Sequence, residues 1–566
     1  MSDRAAARLG RLALLIAWLA VIGWPALATV LAAGAREPDG GGGLMVPSAA
    51  DLEAGRVQRP LALARTTVSL VLMTEALVLP PGVLLAILLF RTDVWGRRVL
   101  LGLLALVLFV PLPLHATAWL GTIGNAGRMQ AVGSTPILVR LPGAAFVHAL
   151  FALPWVVLIT GVGLRTVERE LEESALLDMP AWRVLWRVSL RRSLGALLGA
   201  ALAVAVLTAG DMTVTDLLQV RSYAEESYLQ LILGQGAKAA IVALPPMVVL
   251  GACVLLAARG LLRSDPARLA SSAARARVWA LGRWRIPLGL GLVLLAGNVV
   301  ALPLYGLVWR AGRVGGRAAQ GMAPHWSIAG LLGTMQRAAR EVQGPLVEST
   351  LWAALAASAT VALAWAFAWV TRRPGIWRWA VAGSLALLLS VPGPIAGLAL
   401  KIAYGPEWAA VASHDLPALG VLVPLLRVLS DSPLMIVFAM VVRTLPYALL
   451  VLWPAVRSVP SEHLEAAALD GHGPGGQIVH VALPLTGGAV LAAWGVAFAL
   501  GLGELPASNI ASPPLRLGQT TLSLLVWSLL HTGVESHLAG VALVMLAAIA
   551  SAGLLAAWAL RRLGRP

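Results

Sequence analysis

The chain has 566 residues, of which 59% are hydrophobic and 12% are charged, and its mean hydropathy is +0.82. A soluble domain carries about 25% charged residues, so this composition excludes a soluble globular fold. The net charge of +16 does not indicate nucleic acid binding, because the arginines flank apolar runs, where membrane proteins place them to fix orientation.

The first predicted element is the apolar run Leu12–Ala33, which follows Arg4, Arg8 and Arg11. Its basic start resembles a secretory signal, but the apolar region of a cleaved signal has roughly 7–15 residues. This run is longer and reaches the roughly 20 residues that a spanning helix needs. We therefore predict a retained first transmembrane helix with a cytoplasmic N-terminus.

Further apolar runs follow along the chain, and they predict an all-α integral membrane protein of about twelve transmembrane helices. Only helices and closed barrels satisfy the backbone within lipid, and these runs lack the alternation that a barrel requires. The predicted helices are 11–33, 67–90, 98–120, 143–164, 193–209, 239–258, 286–309, 348–370, 377–400, 433–456, 485–502 and 537–560.

Basic residues predict the orientation of these helices. If the N-terminus is cytoplasmic, most Lys and Arg residues fall in cytoplasmic segments, above all in 259–285. The prediction is a multi-pass protein of the bacterial inner membrane with both termini in the cytoplasm. The single cysteine, Cys253, lies in an apolar run and is interpreted as a small buried hydrophobic residue.

Two parts of the chain repeat each other in one register, with a single inserted residue between two matched blocks. Chance similarity between Ala/Leu-rich segments would not keep that register. The repeat predicts two parallel six-helix units, 1–258 and 286–566, joined by an Arg-rich cytoplasmic linker at 259–285. The matched pairs are Leu153-Pro154-Trp155 with Leu445-Pro446-Tyr447, Glu173 to Asp178 with Glu465 to Asp470, Val188-Ser189-Leu190 with Val481-Ala482-Leu483, and Gly210-Asp211 with Gly503-Glu504.

The most specific motif lies in the predicted cytoplasmic loop between the tenth and eleventh helices. It reads Glu465-Ala466-Ala467, then Gly471, then Val481-Ala482-Leu483-Pro484. Glu465 is expected in the first turn of a helix, near the positive end of its dipole. The two alanines let a partner approach the backbone, Gly471 suits a left-handed helix end, and Pro484 marks the return into a membrane helix. The alternative is an ordinary amphipathic loop helix.

This motif resembles the signature loop of the membrane subunits of binding-protein-dependent ABC importers. In that family the loop forms a short coupling helix that docks on a separate ATPase. The resemblance implies a cytoplasmic ATPase dimer and a periplasmic solute-binding protein as partners, beside membrane lipid and without nucleic acid. ATP and Mg²⁺ would bind the ATPase, and no cofactor is expected on this chain. The implied coupling residues are Glu465, Ala466, Ala467, Gly471, Leu483 and Pro484.

The first copy of the motif departs from the family pattern. It keeps Glu173, Ser174, Ala175 and Asp178, but Met179-Pro180 replaces the glycine and Arg191 replaces the proline. We expect this loop to dock as well, with an altered geometry.

No ATP-hydrolysing motif accompanies these loops. The sequence Gly-x-x-x-x-Gly-Lys-Ser/Thr is absent, and neither lysine lies in a glycine-rich loop. The chain is therefore interpreted as a transport subunit without enzymatic activity of its own.

Four polar residues are candidates for the substrate pathway, because charges at membrane depth are costly and usually functional or paired. They are Arg443, Asp211, Glu504 and, more weakly, His115. Asp211 and Glu504 occupy equivalent positions of the repeat and could favour a cation between them, or could brace loops through Arg221 and Arg516. Arg443 could equally form an internal ion pair, and His115 could serve helix packing. No metal-ligand constellation is predicted.

The fused two-unit chain resembles the ferric-iron-type permeases and the related thiamine and aminoethylphosphonate permeases. The segments at Gly210-Asp211 and Gly503-Glu504 resemble loops of the iron-type group. The resemblance implies ferric iron as the first substrate to consider, with thiamine, a phosphonate or a polyamine as alternatives. An ion-gradient-driven secondary transporter is the main rival. A membrane enzyme is the other, although its only candidate cluster is His463, His472 and His480.

Overall fold

The chain is helical almost throughout. The structure, a computed structural model, describes residues 12–34, 58–124, 139–263, 277–314, 325–372, 375–412, 420–512, 521–532 and 535–563. Within these ranges the strands are β1 (Arg313–Val314) and β2 (His325–Trp326), which pair antiparallel. The all-α prediction is thus confirmed, and the small hairpin only connects two helices.

The described residues up to 263 form eleven helices. In chain order they are α1 (12–34, with a π-helical turn at Leu19–Gly23), α2 (Gln58–Arg91), α3 (Arg97–Phe109), α4 (Leu112–Ile123), α5 (Arg140–Arg165), α6 (Arg169–Asp178), α7 (Ala181–Arg192, with a π-helical turn at Leu185–Ser189), α8 (Leu194–Ala209), α9 (Thr213–Leu217), α10 (Tyr223–Ile232) and α11 (Gly236–Arg263).

The elements after residue 277 follow a similar order. After a 3₁₀ turn at Gly282–Trp284 come α12 (Arg285–Ala311), α13 (Ile328–Val370), α14 (Ile376–Ser390), α15 (Gly393–Tyr404), α16 (Glu407–Ala412), α17 (Leu422–Ser430), α18 (Leu434–Arg457), α19 (Ser461–Leu469), α20 (Pro474–Leu502, with a π-helical turn at Ile478–Ala482), α21 (Pro506–Ala511), α22 (Leu522–Thr532) and α23 (Glu535–Leu563).

Among the described residues, eight helices are long and apolar enough to cross a membrane. The number rises to eleven if each of three sharply bent helix pairs counts as one span. The predicted twelfth helix, 537–560, falls on α23, whose described apolar part Ser536–Ala548 is shorter. The spans support a multi-pass membrane protein, while the number twelve stays a prediction.

Two predicted helices are wrong as single straight spans. The predicted helix 98–120 is the pair α3 and α4, bent by 105°, and the predicted helix 377–400 is the pair α14 and α15, bent by 113°. The backbone is extended at Val110 and Val391, each of which precedes a proline. Proline disfavours a helical conformation at the residue before it and donates no hydrogen bond, so both helices break there.

The core lies where the long helices pack in threes. In the first half α2 lies along α5, and α8 packs on both. In the second half α13 lies along α18, and α20 packs on both. The largest buried cluster is centred on the second triplet and includes Leu445, Leu452 and Trp453.

The first helix of each half packs against the other half. Helix α1 lies on α15, where Trp24 Nε1 donates to the Ala403 carbonyl at 2.8 Å, and it also contacts α14, where Trp18 Nε1 donates to Ser384 Oγ at 2.7 Å. Helix α12 lies on α4, where Thr122 Oγ1 donates to the Leu302 carbonyl at 3.0 Å. The two halves are therefore joined through α1 and α12, the first helix of each half.

Loops predicted on the same side of the membrane contact one another. Trp279, at the described end of the linker, donates its N–H to the Arg91 carbonyl at 2.7 Å and pairs with Thr92 in a parallel bridge. On the opposite side, His537 contacts Glu341. Each contact joins two segments predicted on the same side of the membrane, while the assignment of the cytoplasmic side stays a prediction.

Cys253 is exposed on the surface of the described chain, so the prediction that its side chain is buried is wrong. It lies on α11 within a candidate span, where an exposed apolar position can face lipid.

Candidate functional site

The segment predicted as the second coupling loop begins with α19, a short helix with an exposed outer surface. Glu465 and Ala466 are exposed, whereas Ala467 is buried against the protein. Glu465 lies in the second turn, so the predicted position in the first turn is wrong, and Glu462 occupies the first turn instead. The exposed surface is made of a carboxylate and small side chains, which a partner could approach closely.

Gly471 ends this helix in the predicted left-handed conformation, with φ of 87°. The Gly471 N–H donates to the Ala468 carbonyl, and the His472 N–H donates to the Ala467 carbonyl at 2.9 Å. This pair of bonds is the Schellman arrangement, which favours glycine at the left-handed position. The loop geometry therefore depends on Gly471.

Pro484 lies in the first turn of the α-helical stretch Leu483–Leu502, as predicted, although the continuous helix α20 starts earlier, at Pro474. The π-helical turn Ile478–Ala482 directly precedes Leu483 and Pro484. A π turn shifts the hydrogen-bond pattern by one residue, and proline supplies no N–H. The N–H that Pro484 lacks is thus missing at the point where the hydrogen bonding changes from π-helical to α-helical.

The first coupling loop has the same elements with different contacts. Glu173 is exposed on α6 and accepts a hydrogen bond from Arg169 Nε at 2.7 Å, with Arg277 Nη1 at 3.7 Å. The hydrogen bond from Arg169 holds the pKa of the Glu173 carboxyl below its usual range. Ser174 and Asp178 are exposed and Ala175 is half-buried. Helix α6 ends at Met179, which is extended.

One leucine protrudes from each coupling helix. Leu177 on α6 is 88% exposed and Leu469 on α19 is 90% exposed. They occupy equivalent positions of the predicted repeat, four residues after Glu173 and Glu465. Neither leucine was among the predicted site residues, although the repeat already places the two at equivalent positions. Two exposed leucines at matched positions suit a shared partner surface.

A buried polar network beneath α6 was also missed. Arg91 and Glu172 are each fully buried and form an ion pair, in which Arg91 Nη2 donates to both carboxylate oxygens. Ser189 Oγ donates to Glu172 at 2.6 Å, and Arg91 Nη1 donates to the Leu164 carbonyl at 2.6 Å. The motif contains Glu173, whereas its neighbour Glu172 makes the buried contacts.

The membrane part contains a cleft between the two halves. Its space, including the part open to solvent, is about 790 Å³. It is bordered by the middle of α5 and α18, the C-terminal ends of α8, α14 and α20, and the starts of α4, α9 and α21. Polar and apolar atoms line it about equally. Near it, Trp155 and Tyr447, the aromatic residues of the two repeated Leu-Pro motifs, pack together with ring centroids 5.8 Å apart. Its lining includes Phe151, Asp211, Val391, Arg443, Tyr447 and Glu504.

Three of the four predicted pathway residues line this cleft. Asp211 accepts hydrogen bonds from the N–H groups of Thr213 and Val214 at 3.1 and 2.8 Å, and His148 Nε2 lies 3.6 Å from it. Glu504 accepts from the N–H groups of Ala507 and Ser508 at 3.0 and 2.8 Å. Each carboxylate thus holds the first turn of a short helix, α9 or α21, at the border of the cleft.

Arg443 fits both roles predicted for it, because it lines the cleft and also forms an ion pair within the protein. Its Nε lies 4.0 Å from Glu504 Oε1, and its Nη1 donates to the Val391 carbonyl at 2.9 Å, at the break between α14 and α15. It also borders the cleft. The structure therefore brings Arg443 and Glu504 together.

His115 is buried outside the cleft lining, in edge contact with Phe151 at a centroid distance of 6.0 Å. The bracing alternative is not observed for Arg221, which lies 4.0 Å from Glu226 instead of contacting Asp211. Its predicted counterpart Arg516 falls outside the described residues.

The described ranges contain no group of three or more His, Cys, Asp or Glu side chains that could hold a metal ion. Of the three loop histidines, the rings of His472 and His480 lie 4.9 Å apart. A pair of rings is too small a ligand set for a structural metal site, which takes about four ligands.

Residues 354–565 match the family model described as the inner membrane component of binding-protein-dependent transport systems. The matched range begins within α13, includes α19 and α20, and covers less than half of the chain. A search of curated proteins found no match. Together with the candidate spans, the match indicates a multi-pass inner-membrane protein with an importer-type permease region.

Proposed function

We propose that this chain is the membrane permease of an ATP-driven importer. The observation that carries the proposal is α19, an exposed helix of small residues that ends at a left-handed Gly471 within the family-matched range. Its partners would be a cytoplasmic ATPase dimer, which binds ATP and Mg²⁺, and a periplasmic solute-binding protein.

The two-unit organisation, with units 1–258 and 286–566 around the linker 259–285, belongs to this proposal. It is supported by the two helix breaks of 105° and 113° and by π-helical turns at Leu185–Ser189 and Ile478–Ala482, which occupy equivalent positions. The contact of Trp155 with Tyr447 adds to this support, because equivalent residues meet only near a pseudo-twofold axis.

The coupling loops and the cleft suggest how such a permease would work. Closure of the ATPase dimer would move α6 and α19 together, and each lies at the cytoplasmic end of a packed triplet of helices. The triplets border the cleft through α5, α8, α18 and α20. Their relative movement would open the cleft to alternate sides of the membrane, as an alternating-access cycle requires.

The resemblance makes ferric iron the first substrate to test, with thiamine, a phosphonate or a polyamine as the alternatives. Ferric iron favours hard oxygen ligands, and the cleft offers two carboxylates whose oxygens already accept backbone hydrogen bonds. In this proposal the cleft is a passage, and the binding protein selects the substrate.

The test is a double variant of α19, Glu465→Trp with Gly471→Val. A bulky ring on the docking surface and a β-branched residue at φ of 87° should abolish co-purification of the ATPase and ATP-dependent uptake, while the chain still inserts into the membrane. Glu462→Gln, on the same helix, is the control and should behave like the parent.

Uptake that survives the double variant, or a purified chain that retains no ATPase, contradicts the importer proposal. Uptake that persists after ATP depletion but stops when the ion gradient is collapsed would favour the secondary transporter instead.

A further inference from the structure

The first coupling helix is held from below by a buried polar network, which we call the lock: Arg91, Glu172 and Ser189. Arg91 and Glu172 are both 0% exposed, and every contact within the lock is a hydrogen bond or an ion pair. Arg91 ends α2, Glu172 belongs to α6, and Ser189 closes the π-helical turn of α7. The lock therefore joins three elements at one point.

The linker fixes the same point from outside. The N–H of Trp279 donates to the Arg91 carbonyl at 2.7 Å, and the N–H of Leu281 donates to Asp93 Oδ1 at 2.8 Å. Arg277 reaches Glu173 on the exposed side of α6. Helix α6 is thus held by arginines on two adjacent acidic residues, one buried and one exposed.

The second half has apolar residues at all three corresponding positions. Glu172 corresponds to Leu464 and Ser189 to Ala482 in the register of the repeat. Arg91 corresponds to Val370, because Thr92 and Thr371 follow them and each donates its hydroxyl to the carbonyl four residues back. Among the described residues, the three lock positions are polar only in the first half.

The two loops also end differently. The second loop ends α19 with the left-handed Gly471 and continues into Pro484. The first loop has neither residue, and it leaves α6 through the extended Met179 and Pro180. It therefore lacks the backbone features that orient α19.

We propose that Arg91, Glu172 and Ser189 are positioning residues that orient the first coupling helix, in place of the glycine and proline of the second loop. The inference rests on the proposed function for its consequence, which is that the first loop docks on the ATPase despite its altered motif. Removing one partner of a buried ion pair leaves an uncompensated charge, whereas replacing the whole group by apolar residues is often tolerated.

The test compares Glu172→Leu with the triple variant Arg91→Val, Glu172→Leu, Ser189→Ala, which carries the residues of the second half. Amide hydrogen exchange is measured on the purified full chain in detergent. In Glu172→Leu, exchange in α6 should rise at least tenfold, with α19 unchanged as the internal control. The triple variant should regain thermal stability, because it leaves no buried charge unpaired. Exchange in α6 should nevertheless stay high, because the first loop then has neither the lock nor the glycine and proline of the second loop.

Co-purification of the ATPase provides the functional measurement. It should fall at least tenfold in Glu172→Leu and stay low in the triple variant although the thermal stability of that variant recovers, an outcome that general destabilisation of the chain would not produce. If Glu172→Leu yields too little protein, Glu172→Gln keeps the volume and one acceptor oxygen, and it should show the same local effect.

Unchanged exchange in α6 overturns the proposal, as does an equal rise in α6 and α19. Failure of the importer proposal is distinguishable, because a parent chain that binds no ATPase leaves the exchange comparison intact.

Discussion

Asp211 and Glu504 each combine two roles at the scale of single residues. Both are largely buried, accept two backbone hydrogen bonds at the start of a short helix, and border the cleft between the halves. Their neighbours differ, because His148 lies beside Asp211 and Arg443 lies beside Glu504. The cleft is therefore chemically asymmetric although the backbone around it repeats.

The double variant Asp211→Asn, Glu504→Gln separates charge from capping. Asparagine caps a helix about as well as aspartate, and glutamine keeps an acceptor oxygen, so we expect thermal unfolding in detergent to change little, by about 0.5 kcal/mol or less. ATP-dependent uptake should fall at least tenfold if the charges serve the pathway. Glu407→Gln, on the separate helix α16, is the control, and normal uptake in the double variant would remove both residues from the pathway.

The sequence could predict Asp211, Glu504 and Arg443 because a charge within an apolar run is conspicuous. It could not distinguish Glu172 from Glu173, because two adjacent acidic residues on a helix face different sides and only the packing decides which one is buried. The roles of Ser189 and Arg91 could not be predicted either, because both residues act through contacts with residues distant in the sequence.

At the scale of elements, the predicted coupling helices α6 and α19 expose similar residues but are held in place by different contacts. Each carries its motif glutamate in the second turn and an exposed leucine near its end. The motif predicted both helices, but it did not predict the breaks in the two bent pairs. Val110 and Val391 are ordinary apolar residues, and only the proline that follows each of them indicates a break. Because a proline can also bend a membrane helix without breaking it, the break could not be predicted.

Single variants Leu469→Asp and Leu177→Asp test whether both helices dock. Burying a leucine contributes about 1.5–3 kcal/mol, so each variant should weaken ATPase association roughly tenfold or more, measured by co-purification or by binding of the purified subunit. The exposed position of both side chains predicts unchanged thermal stability.

Val421→Asp provides the matched control, because Val421 is 77% exposed but lies directly before α17, away from both predicted coupling loops in the sequence. If Leu177→Asp binds the ATPase as the parent does while Leu469→Asp does not, only the second loop docks, and the first has lost its coupling role.

At the scale of the whole molecule, each half is held to the other by its entry helix as well as by the walls of the cleft. Helix α1 packs on α15 and α12 packs on α4, so the first helix of each half contacts the other half. The linker end is also tied to the loop after α2. A repeat in the sequence predicts two similar units, but such an exchange depends on tertiary packing that no local pattern encodes.

The orientation of the whole chain decides whether the coupling loops can meet a cytoplasmic ATPase, and the single cysteine makes this measurable. Cys253 is exposed on a membrane-spanning helix, so Cys253→Ala should yield a stable background without thiols. His472→Cys lies in the second coupling loop and Gln235→Cys between α10 and α11, and both positions are exposed. The positive-inside rule places them on opposite sides. A membrane-impermeant maleimide should label Gln235→Cys in intact spheroplasts and His472→Cys only in inside-out vesicles, while the background stays unlabelled. The reverse pattern would put α6 and α19 outside the cell and exclude ATPase coupling, even though the helices and the cleft would remain as described.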